Sequence, residues 1–158
     1  MYQAVPANSD SDPLVSKETI KNSLIVAVAR GIIMVTAQRI RVLIVDDHLM
    51  FRQGLRSLLQ SYPDIDVVDE AGDGAEAVSK VTTLQPAVVV MDISMPKMDG
   101  VAATRLLKSQ HSHVTVLGLS VLGQGYQVDA MLKAGAAKVL TKEKAVDELY
   151  ESIKNAAP

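Results

Sequence analysis

Two apolar runs that each end in acid constrain this chain most. Val42-Leu43-Ile44-Val45 leads into Asp46-Asp47, and Val88-Val89-Val90-Met91 leads into Asp92. A strand with one face in water alternates apolar and polar residues, whereas a parallel strand covered on both faces is apolar throughout. Both runs therefore read as inner strands of a parallel sheet. Open sheets of this kind gather their sites beyond the carboxyl ends of the strands, so Asp46, Asp47 and Asp92 are expected to converge there. Three carboxylates held together repel one another unless a cation or a chemical step compensates them. The spacing points to Mg²⁺ chemistry.

The 158 residues hold one well-filled domain and an appendage, and the 48% hydrophobic and 22% charged residues supply a core. Without cysteine, thiolate metal sites, cysteine nucleophiles and disulfide frameworks are excluded, and cytoplasm is the default location. A net charge of −2 with no Lys/Arg cluster argues against direct nucleic-acid contact by this chain. The longest apolar stretch, Leu24 to Ala37, is shorter than the ~20 residues a membrane span needs and is broken by Arg30 and Gly31. Asp10, Asp12 and Glu18 before it fit a signal peptide poorly.

Residues 1 to about 18 have the composition of a flexible tail, and residues 1–38 are expected to form an N-terminal extension. The run from Leu24 to Val35 reads equally as helix, strand or the remnant of a preceding domain, and Met34 is a plausible natural start. Strand-like and helix-like segments alternate from Ile40 onward, the pattern of a parallel sheet with helices on both faces. Strands are predicted at 40–45, 65–70, 87–91, 114–119 and 137–141. Phe51, Leu55, Leu58, Leu59 and Tyr62 form one helical stripe, and Val146, Leu149, Tyr150 and Ile153 another. Asp73-Gly74-Ala75-Glu76 has the form of a capping box.

Asp92 opens the loop Ile93-Ser94-Met95-Pro96-Lys97-Met98-Asp99-Gly100, where Pro96 and Asp99-Gly100 signal turns. Together with Val45-Asp46-Asp47-His48, Leu119-Ser120, and Ala134-Gly135-Ala136 followed by Lys142, this loop resembles the receiver domain of bacterial two-component response regulators. The Asp-Asp-His opening resembles the NarL/FixJ branch. The resemblance covers residues 39–156 and implies a flavodoxin-like, doubly wound α/β fold: five parallel strands in the order 2-1-3-4-5 with five helices.

The resemblance also implies roles. Asp92 is the phosphoacceptor, attacking the phosphorus of a phosphohistidine donor to form an aspartyl phosphate. Asp47, Asp46 directly or through water, Asp92 and the backbone carbonyl of Ser94 hold Mg²⁺. Lys142, ending the fifth strand, pairs with a phosphoryl oxygen, and Ser120, ending the fourth, donates its hydroxyl to another. The implied partner is a sensor histidine kinase or histidine phosphotransfer protein, and a homodimer through the face of the fourth helix, fifth strand and fifth helix, or through the first helix, is a further expectation. The chain is then a switch that promotes its own phosphorylation and dephosphorylation rather than an enzyme acting on outside substrates. Two departures stand out. Val139 replaces the aromatic residue that often couples to the moving hydroxyl, and Leu122 cannot orient an attacking water, which implies a slow loss of phosphate. NarL/FixJ-type regulators usually continue into a helix-turn-helix domain, and the expectation here is that this output module is absent.

Two other classes compete. A pseudo-receiver keeps the fold as a binding or dimerisation module without phosphorylation, which the full set of acids and Lys142 opposes. A Mg²⁺-dependent phosphohydrolase is opposed by the lack of an Asp-x-Asp arrangement at Asp92. His111 and His113 read as residues of a solvated loop, and His48 as a surface or subfamily feature beside the acid pair rather than a phosphoryl relay.

Overall fold

A computed structural model describes residues 24–29 and 32–157, with side chains from Gln38 onward. The expected tail, residues 1 to about 18, lies outside the described residues. The chain divides into two units, Met1–Gln38 and Arg39–Pro158. In the first, the stretch left open between helix and strand resolves as two strands, β1 (Leu24–Ala29) and β2 (Ile32–Ala37), paired antiparallel from Leu24↔Ala37 to Ala29↔Ile32. Both are rich in Val, Ile and Ala, and the β-branched residues favour the extended backbone. No described helix is long and apolar enough to cross a membrane.

The second unit alternates strand and helix: β3 (Ile40–Val45), α1 (Leu49–Gln60), β4 (Ile65–Ala71), α2 (Gly74–Leu84), β5 (Val88–Asp92), α3 (Gly100–Gln110), β6 (Thr115–Ser120), α4 (Tyr126–Lys133), β7 (Lys138–Thr141) and α5 (Lys142–Ala156). The strands are all parallel and lie in the order β4-β3-β5-β6-β7. Counted from Ile40 this is 2-1-3-4-5, the doubly wound order expected from the sequence. The order reverses between β3 and β5, which puts the ends of the two acid-bearing strands side by side.

Alternation along the strands explains why their sequences are apolar throughout. Val42, Ile44, Val88 and Val90 face Leu55 and Leu59 of α1 and Leu149 and Ile153 of α5. Leu43, Val45, Val89 and Met91 face the opposite layer, with Ala77 and Val81 of α2, Ala103 and Leu107 of α3 and Met131 of α4. Each buried Val, Leu, Ile or Met among them contributes roughly 1.5–3 kcal/mol on burial. A single polar residue within β3 or β5 would sit in one layer or the other.

Three details differ from the sequence reading. Strands three to five start one residue later than predicted and the second, third and fourth also end one later, so Asp92 and Ser120 close β5 and β6 from within. Lys142 opens α5 instead of ending a strand. Thr141 stands between them with extended backbone, and its side chain accepts the Lys144 N–H at 3.2 Å, so the helix begins at once. On α5, Ala145, Leu149 and Ile153 are fully buried while Val146 is 58% exposed, lining an open groove beside Met50, Phe51 and Leu58 of α1. Tyr150 packs instead on Tyr62, their rings stacked 3.8 Å apart.

The loops are fixed by side-chain caps. Asp73 accepts the Glu76 N–H at 2.9 Å and opens α2, while Glu76 reaches back to the Gly72 N–H, one residue before the usual partner of a capping box. Asp99 accepts the Ala102 N–H at 2.7 Å and opens α3. Lys97 bridges this loop to α2 through Asp73 at 2.7 Å.

Candidate functional site

The carboxyl ends of β3 and β5 bring Asp46, Asp47 and Asp92 together. One donor atom from each, with a ring nitrogen of His48, lies within 4.8 Å of all the others. Asp46 and Asp92 are buried, whereas Asp47 faces outward. The cluster therefore has an enclosed floor and an open rim.

Asp46 organises the floor. Its Oδ1 accepts the His48 N–H at 2.8 Å, fixing the chain as it enters α1, and its Oδ2 has Lys142 Nζ at 2.6 Å. Its backbone carbonyl accepts from Arg52, whose guanidinium also reaches Glu70 at 3.2 Å. Lys142 stands 3.3 Å from Asp92 Oδ1 as well, and 4.8 Å from the ring centre of Phe51, which seats the ammonium from below. One ammonium thus faces two buried carboxylates. Burial alone would lower the Lys142 pKa, but Asp46 and Asp92 outweigh it and raise it, so the side chain stays charged.

Asp92 carries the largest perturbation. Burial first, then repulsion from Asp46, raise its pKa from 3.8 to about 6, against the pull of Lys142 and a hydrogen bond from the Ser94 backbone. A carboxylate kept this uncomfortable is stabilised by any cation that enters the cluster. The local backbone is equally constrained. Gly100 N–H donates to the Ile93 carbonyl at 2.9 Å, and a Cβ at Gly100 would stand 2.0 Å from the Asp92 carbonyl oxygen. Asp99-Gly100, read from the sequence as turn-shaping, is where only glycine lets α3 approach the acid.

Ser120 ends β6, one residue beyond the Leu119 that pairs with Asp92. It is buried, and its Oγ accepts the Leu122 N–H at 3.2 Å, which ties the hydroxyl to the loop leading to α4. Ser94 is exposed and lines, with Asp47, Met95, Arg105 and Tyr126, a cavity of about 650 Å³ opening from the acid cluster toward α3 and α4. Val121, Leu122 and Tyr126 are exposed beside it.

Sequence reasoning placed the acids, Lys142 and Ser120 but missed three contributors. His48, read as a surface feature, points a ring nitrogen into the cluster at 2.9 Å from Asp47 and 3.1 Å from Asp46. Its place directly after two aspartates was the available signal. Arg52 and Phe51 lie in the helix that follows, and nothing in their spacing announces contact with Asp46 or Lys142. His111 and His113 bond instead to Thr82 and Gln85 at the end of α2, near the start of β6 and away from the acids.

Residues 42–154, more than half of the chain, match the family model of the response regulator receiver domain. The transcriptional regulatory protein DegU of Brevibacillus brevis is 41% identical over 120 residues, spanning 76% of this chain and 51% of DegU. LiaR of Bacillus subtilis is 37% identical over 118 residues, 75% of this chain and 56% of LiaR. The chain thus spans about half the length of these curated relatives. Among solved structures, the receiver domain of NarL from Mycobacterium tuberculosis superposes with a TM-score of 0.71 at 31% identity, over 75% of this chain and 95% of that one. Sequence, strand order and an acid cluster at the switch point agree, and the chain belongs to the response regulator receiver domain family, in its NarL/FixJ-like branch.

Proposed function

We propose that Asp92 accepts a phosphoryl group from the phosphohistidine of a sensor histidine kinase or histidine phosphotransfer protein, with Mg²⁺, and that this switches a protein-interaction surface. The observation that carries the reading is Asp92 itself: buried, raised to about 6, and facing Lys142 and two further carboxylates. The donor set fits a hard cation, since three of the four clustered donors are carboxylate oxygens and one ammonium offsets them. Asp46, Asp47, Asp92 and the carbonyl of Ser94 are the proposed ligands. When bound, Mg²⁺ supplies charge neutralisation for the phosphoryl oxygens.

The chain's own residues account for the rest. An Asp92 carboxylate oxygen bonds to phosphorus as the phosphorus–nitrogen bond to the donor imidazole breaks, and the electron pair of that bond returns to the imidazole. Lys142, already 3.3 Å from Asp92, turns to a phosphoryl oxygen as a point charge. Ser120, whose Oγ holds the Leu122 N–H, rotates its hydroxyl to donate to another oxygen and moves the loop with its exposed Val121 and Leu122. With Val139 only partly buried in the aromatic position of the usual coupling, the loop rather than a turning ring transmits the change. Leu122 offers no group to orient a hydrolytic water, so the phosphorylated state decays slowly.

On this reading the receiver works in the cytoplasm, makes no nucleic-acid contact of its own at a net charge of −2, and is read by a partner or a second copy. The domain assignment is part of the same proposal: residues 1–38 precede a receiver spanning 39–156. Intact-protein mass spectrometry after incubation with acetyl phosphate tests it. A gain of one phosphoryl group that needs Mg²⁺ and disappears in Asp92→Ala is expected. No gain with either acetyl phosphate or a phosphorylated histidine phosphotransfer protein would favour a pseudo-receiver.

A further inference from the structure

We infer that His48 is itself a ligand of the cation held by the acid cluster, and that it biases the site toward divalent transition ions such as Ni²⁺, Co²⁺ and Zn²⁺. This rests on the proposed cation site and adds a residue to it. His48 Nδ1 lies 2.9 Å from Asp47 Oδ1 and 3.1 Å from Asp46 Oδ1, and the Asp92 carboxylate falls within the same 4.8 Å group. Two donors about 2.1 Å from one ion and at right angles to each other are about 3.0 Å apart, so these separations suit neighbouring positions of a single coordination sphere.

Position and chemistry agree with that geometry. The His48 backbone is pinned by its N–H bond to Asp46 Oδ1, the atom its own ring also faces, so the ring cannot leave the cluster without a change of side-chain rotamer. A single nitrogen directed at two carboxylate oxygens can share one proton between them, whereas an ion placed among the three bonds to each. The imidazole has no other hydrogen-bond partner among the described residues. Its side chain is 69% exposed, which leaves room for the ring to adjust and for waters to complete the sphere. Mg²⁺ gains little from a nitrogen donor, while Ni²⁺, Co²⁺, Cu²⁺ and Zn²⁺ gain substantially. The ion selectivity of the receiver is thus set by the residue after the acid pair.

The test uses the full chain carrying His111→Ala and His113→Ala, so that His48 is the only histidine, compared with the same protein carrying His48→Ala. Calorimetric titrations with Ni²⁺ and with Mg²⁺, and electron paramagnetic resonance of bound Cu²⁺, are the readouts. Loss of His48 should weaken Ni²⁺ by about tenfold or more, leave Mg²⁺ within about twofold, and remove imidazole nitrogen coupling from the Cu²⁺ spectrum. Equal Ni²⁺ affinity in both proteins and no imidazole coupling, with Mg²⁺ still binding, would overturn the role of His48 and leave the cation site standing. If neither ion binds either protein, the cation site fails and His48's role with it.

Discussion

Replacing Asp92 with asparagine should stabilise the receiver at neutral pH when divalent cations are removed. In the native state the Asp92 pKa rises from 3.8 to about 6, through burial and the neighbouring Asp46. An acid with a raised native pKa binds its proton more tightly folded than unfolded, so its contribution favours folding at low pH and is lost as pH climbs from about 4 through 6. A shift of about two pH units amounts to ~3 kcal/mol above pH 6. Asparagine keeps the shape without the charge, and because the pull of Lys142 at 3.3 Å is already contained in the rise to about 6, only the poorer fit of an amide beside the ammonium subtracts from the gain. The net gain expected is therefore about 1–3 kcal/mol at pH 7.5, shrinking below about 1 kcal/mol near pH 4. Urea denaturation of both proteins in EDTA across pH 4–8 measures it. A variant no more stable than the parent at pH 7.5, or a gap that does not close on acidification, would refute the claim that Asp92 is electrostatically strained.

Other perturbations follow from the same geometry. Saturating Mg²⁺ should raise the parent's melting temperature and narrow its gap to Asp92→Asn, because only the parent offers the full set of carboxylates; calorimetry with and without EDTA reads both. Lys142→Ala leaves Asp46 and Asp92 facing each other without their ammonium, so a loss of about 2–4 kcal/mol at pH 7.5 and an appreciably smaller loss near pH 4 are expected in urea titrations. Gly100→Ala drives a Cβ into the Asp92 carbonyl and should cost several kcal/mol, on the order of an overpacked core, with phosphoryl uptake from acetyl phosphate falling in parallel. Asp73→Ala removes the α2 cap and the Lys97 tie and should cost about 1 kcal/mol without abolishing uptake.

Much of the site was legible because its residues are marked by position along the chain. An acid after a run of valines has few structural explanations, and two such runs in parallel strands share one sheet end. Lys142 and Ser120 were legible through the family resemblance, although Lys142 opens α5 rather than ending a strand: Thr141, the last residue of β7, caps the helix, so it begins directly after the strand. Val146 shows the limit of periodicity. It sits on the helical stripe of Leu149 and Ile153, yet it faces an open groove beside α1 rather than the core.

The sequence by itself determined the class of fold and the identity of the acids, because apolar runs without alternation can be satisfied only by burial on both faces, and a βα alternation then leaves one sheet end for charge. Only the tertiary structure decided how those charges are balanced. That Lys142 stands 2.6 Å from Asp46 and 3.3 Å from Asp92, that Phe51 seats it, that His48 turns into the cluster, and that Gly100 touches the Asp92 backbone all depend on where separate elements meet. Burial and charge separation vary steeply over a few ångströms, and distances between residues from different strands and helices are set by packing, which no local pattern encodes.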